Sequence, residues 1–194
     1  PPKQTVDGLN VSPERYARPE LLNRSEFLYD FIKKYTDVSE HVLELGCGVC
    51  RNLNYLSEKG YKHIHGIDIN EEAILLSTKL YPGLKERKEN LKINSLEEGL
   101  KEYRDREFGL VFTMCTLMHI HPKVEKRVFE EIYRISKKIL ITFEYENSLH
   151  NTHFPRNYGK IFKKLGFEEK SFISSDEALK KMFGDITIRL FEKK

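Results

Sequence analysis

One stretch limits the folds open to this chain more than any other: His41-Val42-Leu43-Glu44-Leu45-Gly46-Cys47-Gly48-Val49-Cys50-Arg51-Asn52. A short aliphatic run leads straight into two glycines and then into a helical pattern. That is the signature of a buried parallel strand turning sharply into a helix. Gly46 and Gly48 let the backbone approach something lying across the strand's carboxyl end, because no Cβ stands in the way. In an open α/β sheet that crevice is where ligands bind.

The rest of the pattern agrees with such a sheet. Leu21, Leu22, Leu28, Phe31 and Ile32 recur at helical spacing, so a helix is expected from Pro19 to about Tyr35, after an irregular segment over 1–17. Strands are expected at 41–46, 61–69, 91–94, 108–113, 138–145, 167–173 and 186–192. Helices are expected at 51–59, 71–80, 96–103, 123–135, 158–165 and 176–183. This order predicts an α/β fold: a Rossmann-like, doubly wound, mostly parallel seven-stranded sheet with an antiparallel last strand and an N-terminal capping helix. The 194 residues read as a single domain, with 1–40 as N-terminal segment and lid or capping helix and 41–194 as the core.

Composition removes some functions. The net charge is +3 and the lysines are interleaved with glutamates, so the concentrated basic stripe of a dedicated nucleic-acid binder is missing. Three cysteines, Cys47, Cys50 and Cys115, are odd in number and sparse, which argues against a disulfide scaffold and for a reducing, cytoplasmic setting. No apolar run reaches the length of a membrane span, and the N-terminus lacks the apolar region of a signal peptide. The oligomeric state is not legible.

Two glycines after a strand also occur in dinucleotide sites. Those sites want a small residue three positions past the second glycine, and they hold pyrophosphate on the helix N-terminus. Here Arg51 takes that position, and Glu44 inside the strand repels a pyrophosphate while suiting an ammonium or sulfonium. Asp68, twenty residues after Gly48 at the end of the next strand, is placed to accept hydrogen bonds from both ribose hydroxyls.

With these residues the chain resembles the class I S-adenosylmethionine-dependent methyltransferases. Leu43-Glu44-Leu45-Gly46-Cys47-Gly48 matches the first family motif, Gly66-Ile67-Asp68-Ile69 the acidic second one, and Phe108-Gly109-Leu110-Val111-Phe112 the fourth-strand motif, with Gly109 where an Asp is usual. The likeness runs from Val42 to about Lys193. It implies S-adenosylmethionine as cofactor, with Gly46 and Gly48 under its methionine part and Glu44 and Cys47 beside them. It further implies Asp68 on the ribose, Ile69 against adenine, Asn94 and Ser95 by its edge, and Thr113 lining the methionine end. Cys50 replaces a frequent third glycine.

Methyl transfer to a hydroxyl needs a nucleophile held near the methyl carbon and a base for its proton. His119 and His121 follow the fourth strand, where such a fold opens to substrate, and His119 is the expected general base. The alternative for a histidine here is bracing the loop before Pro122, a role given to His121 alongside substrate contact. No metal is expected, because His119, His121 and a cysteine match no established ligand spacing. Cys115 lacks the preceding proline that resemblance to cytosine-C5 methylation requires, and the Asn/Asp-Pro-Pro-aromatic motif of adenine amino methylation is missing. The C-x-x-C of Cys47 and Cys50 reads as packing within the turn.

The polar segment 146–158 carries the remaining chemistry. Glu144, His153, Arg156 and Tyr158 are candidate acceptor-binding residues, suiting a polar, hydroxylated or anionic molecule. A narrower resemblance, to methylases associated with pseudaminic acid and related sugar biosynthesis, rests on Thr116-Leu117-Met118-His119-Ile120-His121-Pro122, Glu144-Tyr145-Glu146-Asn147 and Phe154-Pro155-Arg156-Asn157-Tyr158-Gly159-Lys160, with a shorter histidine-rich linker after Asn147. It implies a sugar or nucleotide-sugar acceptor. The rivals are an RNA or protein methyltransferase using a basic rim that includes Lys123, Lys126 and Arg127, and a non-catalytic cofactor-binding scaffold.

Overall fold

The structure, a computed structural model, describes residues 12–147 and 150–194. Seven strands, β1 (His41–Leu45), β2 (His63–Asp68), β3 (Leu91–Ile93), β4 (Phe108–Met114), β5 (Ser136–Glu144), β6 (Phe167–Ser174) and β7 (Thr187–Lys193), form one sheet in the order β3-β2-β1-β4-β5-β7-β6. The pairings β1 with β2 and β4, β2 with β3, and β4 with β5 are parallel, and β7 runs antiparallel to both its neighbours. This is the expected doubly wound sheet. The irregular stretch expected over 1–17 lies outside the described residues up to residue 11, and 3-10 turns occupy Pro13–Ala17 and Pro19–Leu21.

Helices are α1 (Leu22–Ile32), α2 (Arg51–Glu58), α3 (Glu71–Leu80), α4 (Pro82–Lys85), α5 (Leu96–Gly99), α6 (Pro122–Ile135), α7 (Tyr158–Leu165) and α8 (Glu177–Phe183). Their starts follow capping chemistry. Asn70, Ser95, Asn157 and Asp176 each accept a hydrogen bond from a backbone N–H of the first turn. Gly166, at φ 111°, ends α7 in the left-handed conformation that a side chain resists.

Strand alternation sorts the core into two layers. Val42, Leu110, Phe112, Ile141 and Phe143 face a layer built with α1, α2 and α8, whereas Leu43, Leu45, Val111 and Leu140 face one built with α5, α6 and α7. Phe108 departs from this alternation: it shares the layer of Val111, because the β4–β5 register shifts between Phe108 and Leu110. Gly109 makes the shift compatible with its surroundings, since a Cβ there would strike the Glu40 side chain. The two faces matter for the site. Glu44 falls on the α1–α2 side, and Thr113 and Glu144 fall on the α6–α7 side. The chain reverses direction of winding between β1 and β4, so the crevice at their carboxyl ends is the topological switch point.

Candidate active site

The turn from β1 into α2 is built at that switch point. Gly46 and Gly48 sit at φ 70° and 51°, and the N–H groups of Gly46 and Cys47 donate to the Ile67 carbonyl at 2.8 and 3.2 Å, fastening the turn to the end of β2. A Cβ on Gly46 would collide with Thr116, so glycine is required there by contact as well as by conformation. Above Gly48 lies open space. Cys50 holds φ 57° without being glycine, a strain of about 1–2 kcal/mol that the rest of the turn offsets. The Cys47 thiol does not face the crevice. It is buried against Gly66 and Leu53, 3.6 Å from the Cys50 sulfur, and burial pushes its pKa up. The Cys47 side chain therefore serves packing, as the reading of the C-x-x-C had it, and its backbone forms part of the turn.

Asp68 closes the other side of the turn. One carboxylate oxygen accepts the Gly48 N–H at 2.7 Å and the other the Asn70 N–H at 2.8 Å. Burial raises its pKa, and these backbone donors oppose the rise. Ile69 beside it is 66% exposed, an apolar surface open at the mouth of the crevice. Asn94 joins them through its N–H to the Asp68 carbonyl at 3.0 Å, while its side chain receives the Ser95 N–H and donates to Glu102. Ser95 caps α5. The structure thus gathers Gly46, Gly48, Asp68, Ile69, Asn94 and Ser95 along the carboxyl ends of β1, β2 and β3.

Glu44 lies one residue before the end of β1, on the α1–α2 side of the sheet. It is buried, with one carboxylate oxygen accepting Asn52 Nδ2 at 2.7 Å and the other without any partner. Burial pushes its carboxyl up to about 8, against the smaller pull of Asn52. The orientation of Asn52 is dictated from outside. Arg51 can only donate, and it donates to Asn52 Oδ1 at 3.3 Å and to Ser25 Oγ at 3.0 Å, while Ser25 donates to Asn52 Oδ1 at 2.8 Å. The amide NH2 is left to face Glu44. A chain of polar groups therefore runs from α1 to the carboxylate of β1. Sequence reasoning missed Ser25 and Asn52; the signal available was a polar residue on the buried stripe of α2, beside Leu53 and Leu56.

The loops after β4 and β5 form a second, interlocked unit. Glu144 is fully buried and accepts from the Thr113 hydroxyl and from the N–H groups of Thr116, Leu117 and Met118, the last three at 3.0, 3.0 and 3.2 Å. Arg156 donates to Glu125 at 2.5 Å and to the carbonyls of Leu117, Phe154 and Ile120. Tyr158 is buried against Phe129 and Phe162. These three were expected to orient an acceptor and Thr113 to line a cofactor. Their polar groups instead hold the post-β4 loop in place, or in Tyr158 lie inside the core, because all four fall on the α6–α7 side of the sheet. Glu146, which sequence reading did not single out, anchors the other loop through a two-point ion pair with Arg189 at 2.6 and 2.9 Å.

What this scaffold presents outward is a group of histidines. His119 Nδ1 lies 3.1 Å from the Thr152 carbonyl. A carbonyl only accepts, so Nδ1 carries the proton and Nε2 keeps its lone pair. Loss of water around the ring holds its pKa below the usual 6.5. The His153 ring stands edge-on to His119 at 4.9 Å and stacks on Tyr145 at 5.9 Å. His121 caps α6 by accepting the Lys123 N–H at 3.1 Å and packs on Phe154, which is the bracing role expected of it before Pro122. The Cys115 thiol is pushed up to about 12 by burial, which disfavours the thiolate a nucleophile needs. Among the described residues no three His, Cys, Asp or Glu side chains converge to hold a metal ion. No described helix is long and apolar enough to cross a membrane.

Comparison with known proteins places this geometry. Residues 42–138 match the methyltransferase domain family. Phosphoethanolamine N-methyltransferase 3 of Arabidopsis thaliana is 26% identical over 148 residues, covering 67% of this chain and 29% of that protein. The chain spans less than a third of the length of the curated relatives it matches. Among solved structures, a SAM-dependent methyltransferase from Archaeoglobus fulgidus aligns with a TM-score of 0.69 at 18% identity, over 93% of this chain and 97% of that one. The magnesium protoporphyrin IX methyltransferase of Synechocystis with bound SAM aligns with a TM-score of 0.70 at 13% identity, over 97% and 86%. These likenesses are of fold.

Proposed function

The chain belongs to the methyltransferase domain family, and on that footing we propose that it transfers a methyl group from S-adenosylmethionine to an oxygen or nitrogen of a polar small molecule. The observation that carries the reading is the pair of carboxylates flanking one glycine turn. Asp68 stands at the end of β2 beside exposed Ile69, as a ribose and adenine require, and Glu44 offers a partnerless buried oxygen as a cationic amino acid end requires. The residues present therefore fit the cofactor, with Asn94 and Ser95 bordering its base.

The bound cofactor supplies an electrophilic methyl group and a neutral thioether leaving group. The protein's own part is to orient the acceptor, exclude water and take up a proton. His119 does the last: its Nδ1 is committed to Thr152, leaving Nε2 as the acceptor. Glu144 and Arg156 act behind it by fixing the loop that carries it.

The reading of the acceptor rests on the loops after β4 and β5. Their resemblance to sugar-modifying methylases favours a sugar or nucleotide-sugar. A second reading, a phosphorylated amino alcohol, is favoured by the phosphoethanolamine N-methyltransferases among the relatives. Incubating cell extract with the protein and methyl-labelled cofactor, followed by mass spectrometry of small molecules, tests both. Label in a sugar or nucleotide-sugar supports the first and label in an amine the second. Label only in RNA or protein, or none at all, contradicts the proposal.

A further inference from the structure

Two guanidinium groups lie beside the Glu44 chain without a carboxylate in direct contact among the described residues. Arg51 gives its hydrogen bonds to neutral acceptors: the Tyr16 carbonyl at 3.0 Å, Ser25 Oγ and Asn52 Oδ1. Arg24 precedes Ser25 on α1. Its Nε is buried without a partner, and its guanidinium lies 5.5 Å from the centre of the Phe183 ring. Among the described residues neither arginine forms an ion pair, although the chain makes many elsewhere. Half-buried positive charges without a paired carboxylate are costly, because the neutral acceptors around Arg51 replace its lost hydration only in part and the Arg24 Nε has no acceptor at all. Loss of water holds the pKa of Arg51 down; the charge of Glu44 pulls it up, and the charge of Arg24 pushes it down again. The position of this pair is informative. It adjoins, through Ser25 and Asn52, the one carboxylate oxygen on β1 that also lacks a partner. A pair of cations outside any ion pair and an acid with one partnerless oxygen therefore stand together next to the carboxyl end of β1, which is the complement of a zwitterion.

We propose that Arg24 and Arg51 receive the carboxylate of the cofactor's methionine end, while Glu44, held by Asn52, receives its ammonium. The assignment rests on S-adenosylmethionine being the cofactor. It gives α1 a specific role, because the helix brings Arg24 as a donor and Ser25 as the link that sets Asn52. Arg51, which argued against a dinucleotide in the sequence, acquires a positive role.

Two ligands isolate the contact. S-adenosylhomocysteine carries the amino acid end, and 5′-methylthioadenosine lacks it. Isothermal titration of wild-type protein is expected to favour S-adenosylhomocysteine. Arg24→Gln is expected to weaken that ligand by roughly tenfold to hundredfold, the weight of a hydrogen bond to a charged group, while shifting methylthioadenosine less than about twofold. Arg24→Lys, which keeps the charge, restores part of the loss. Equal losses for both ligands, or none for either, overturn the assignment. Unchanged S-adenosylhomocysteine affinity with a raised KM for the acceptor also overturns it, giving Arg24 to an anion of the acceptor. If Arg24→Gln does not fold, the wild-type comparison still decides, since equal affinity for the two ligands leaves no carboxylate contact to assign. Wild-type protein that binds neither ligand refutes the cofactor itself, a separate failure.

Discussion

Replacing Glu144 by alanine removes the acceptor on which the whole post-β4 loop converges. Four donors lose their partner together: the Thr113 hydroxyl and the N–H groups of Thr116, Leu117 and Met118. The site is fully buried, so water does not readily take the place of the carboxylate. At about 1 kcal/mol for each orphaned donor, the low end for buried groups, the loss is about 4 kcal/mol. That is a large share of the roughly 5–15 kcal/mol that holds a domain together. Glu144→Gln behaves differently. It keeps an acceptor for Thr113, Thr116 and Leu117 and turns its NH2 against Met118 N–H alone, so about 1–3 kcal/mol is expected. Urea unfolding at pH 7 reads both values from shifts in midpoint at constant slope. Because His119 rides on this loop, turnover should fall in both variants while S-adenosylhomocysteine affinity holds. An alanine variant within about 1 kcal/mol of wild type, or one less perturbed than the glutamine variant, refutes the reasoning.

Glu44, raised from 4.5 to about 8 by burial, binds its proton more tightly when folded than when unfolded. Its contribution to stability is complete below pH 4.5 and lost as the pH rises through 8, so Glu44→Gln should gain on wild type by several kcal/mol across that range, at about 1.4 kcal/mol per unit, in unfolding curves at pH 5 and 8. His65, pushed down to about 4 by burial and by neighbouring His41, has the opposite sign: its contribution is complete above pH 6.5 and lost as the pH falls through 4. A His65→Gln variant should therefore lose less stability than wild type between pH 6.5 and 4. His119→Ala should lower kcat by roughly 10²–10⁴-fold with S-adenosylhomocysteine affinity unchanged, and should abolish an acid limb of kcat/KM whose apparent pKa lies below 6.5.

The sheet was legible because strand alternation, helical spacing and turn residues are local properties. The expected strands and helices recur within a few residues of their predicted positions, and Pro82–Lys85 is the one short α-helix among the described residues that had no forecast. The glycine turn and the position of Asp68 were legible for the same reason: both lie at strand ends. The loop residues were not. Glu144 and Arg156 have the composition of binding groups, and only the side of the sheet on which they fall shows that they hold backbone. The facing of β4 and β5 depends on a register shift at Gly109, which a single sequence does not announce. Asn52 and Ser25 lie 27 residues apart and join only when α1 packs on α2.

The central claim is that the crevice at the carboxyl ends of β1, β2 and β4 holds S-adenosylmethionine, with Asp68 on its ribose. Isothermal titration of the full chain with S-adenosylhomocysteine tests it most directly. One site per chain is expected, weakened by roughly tenfold to hundredfold in Asp68→Ala as hydrogen bonds to a charged acceptor are lost. No binding to wild type, or the same affinity in the variant, contradicts it.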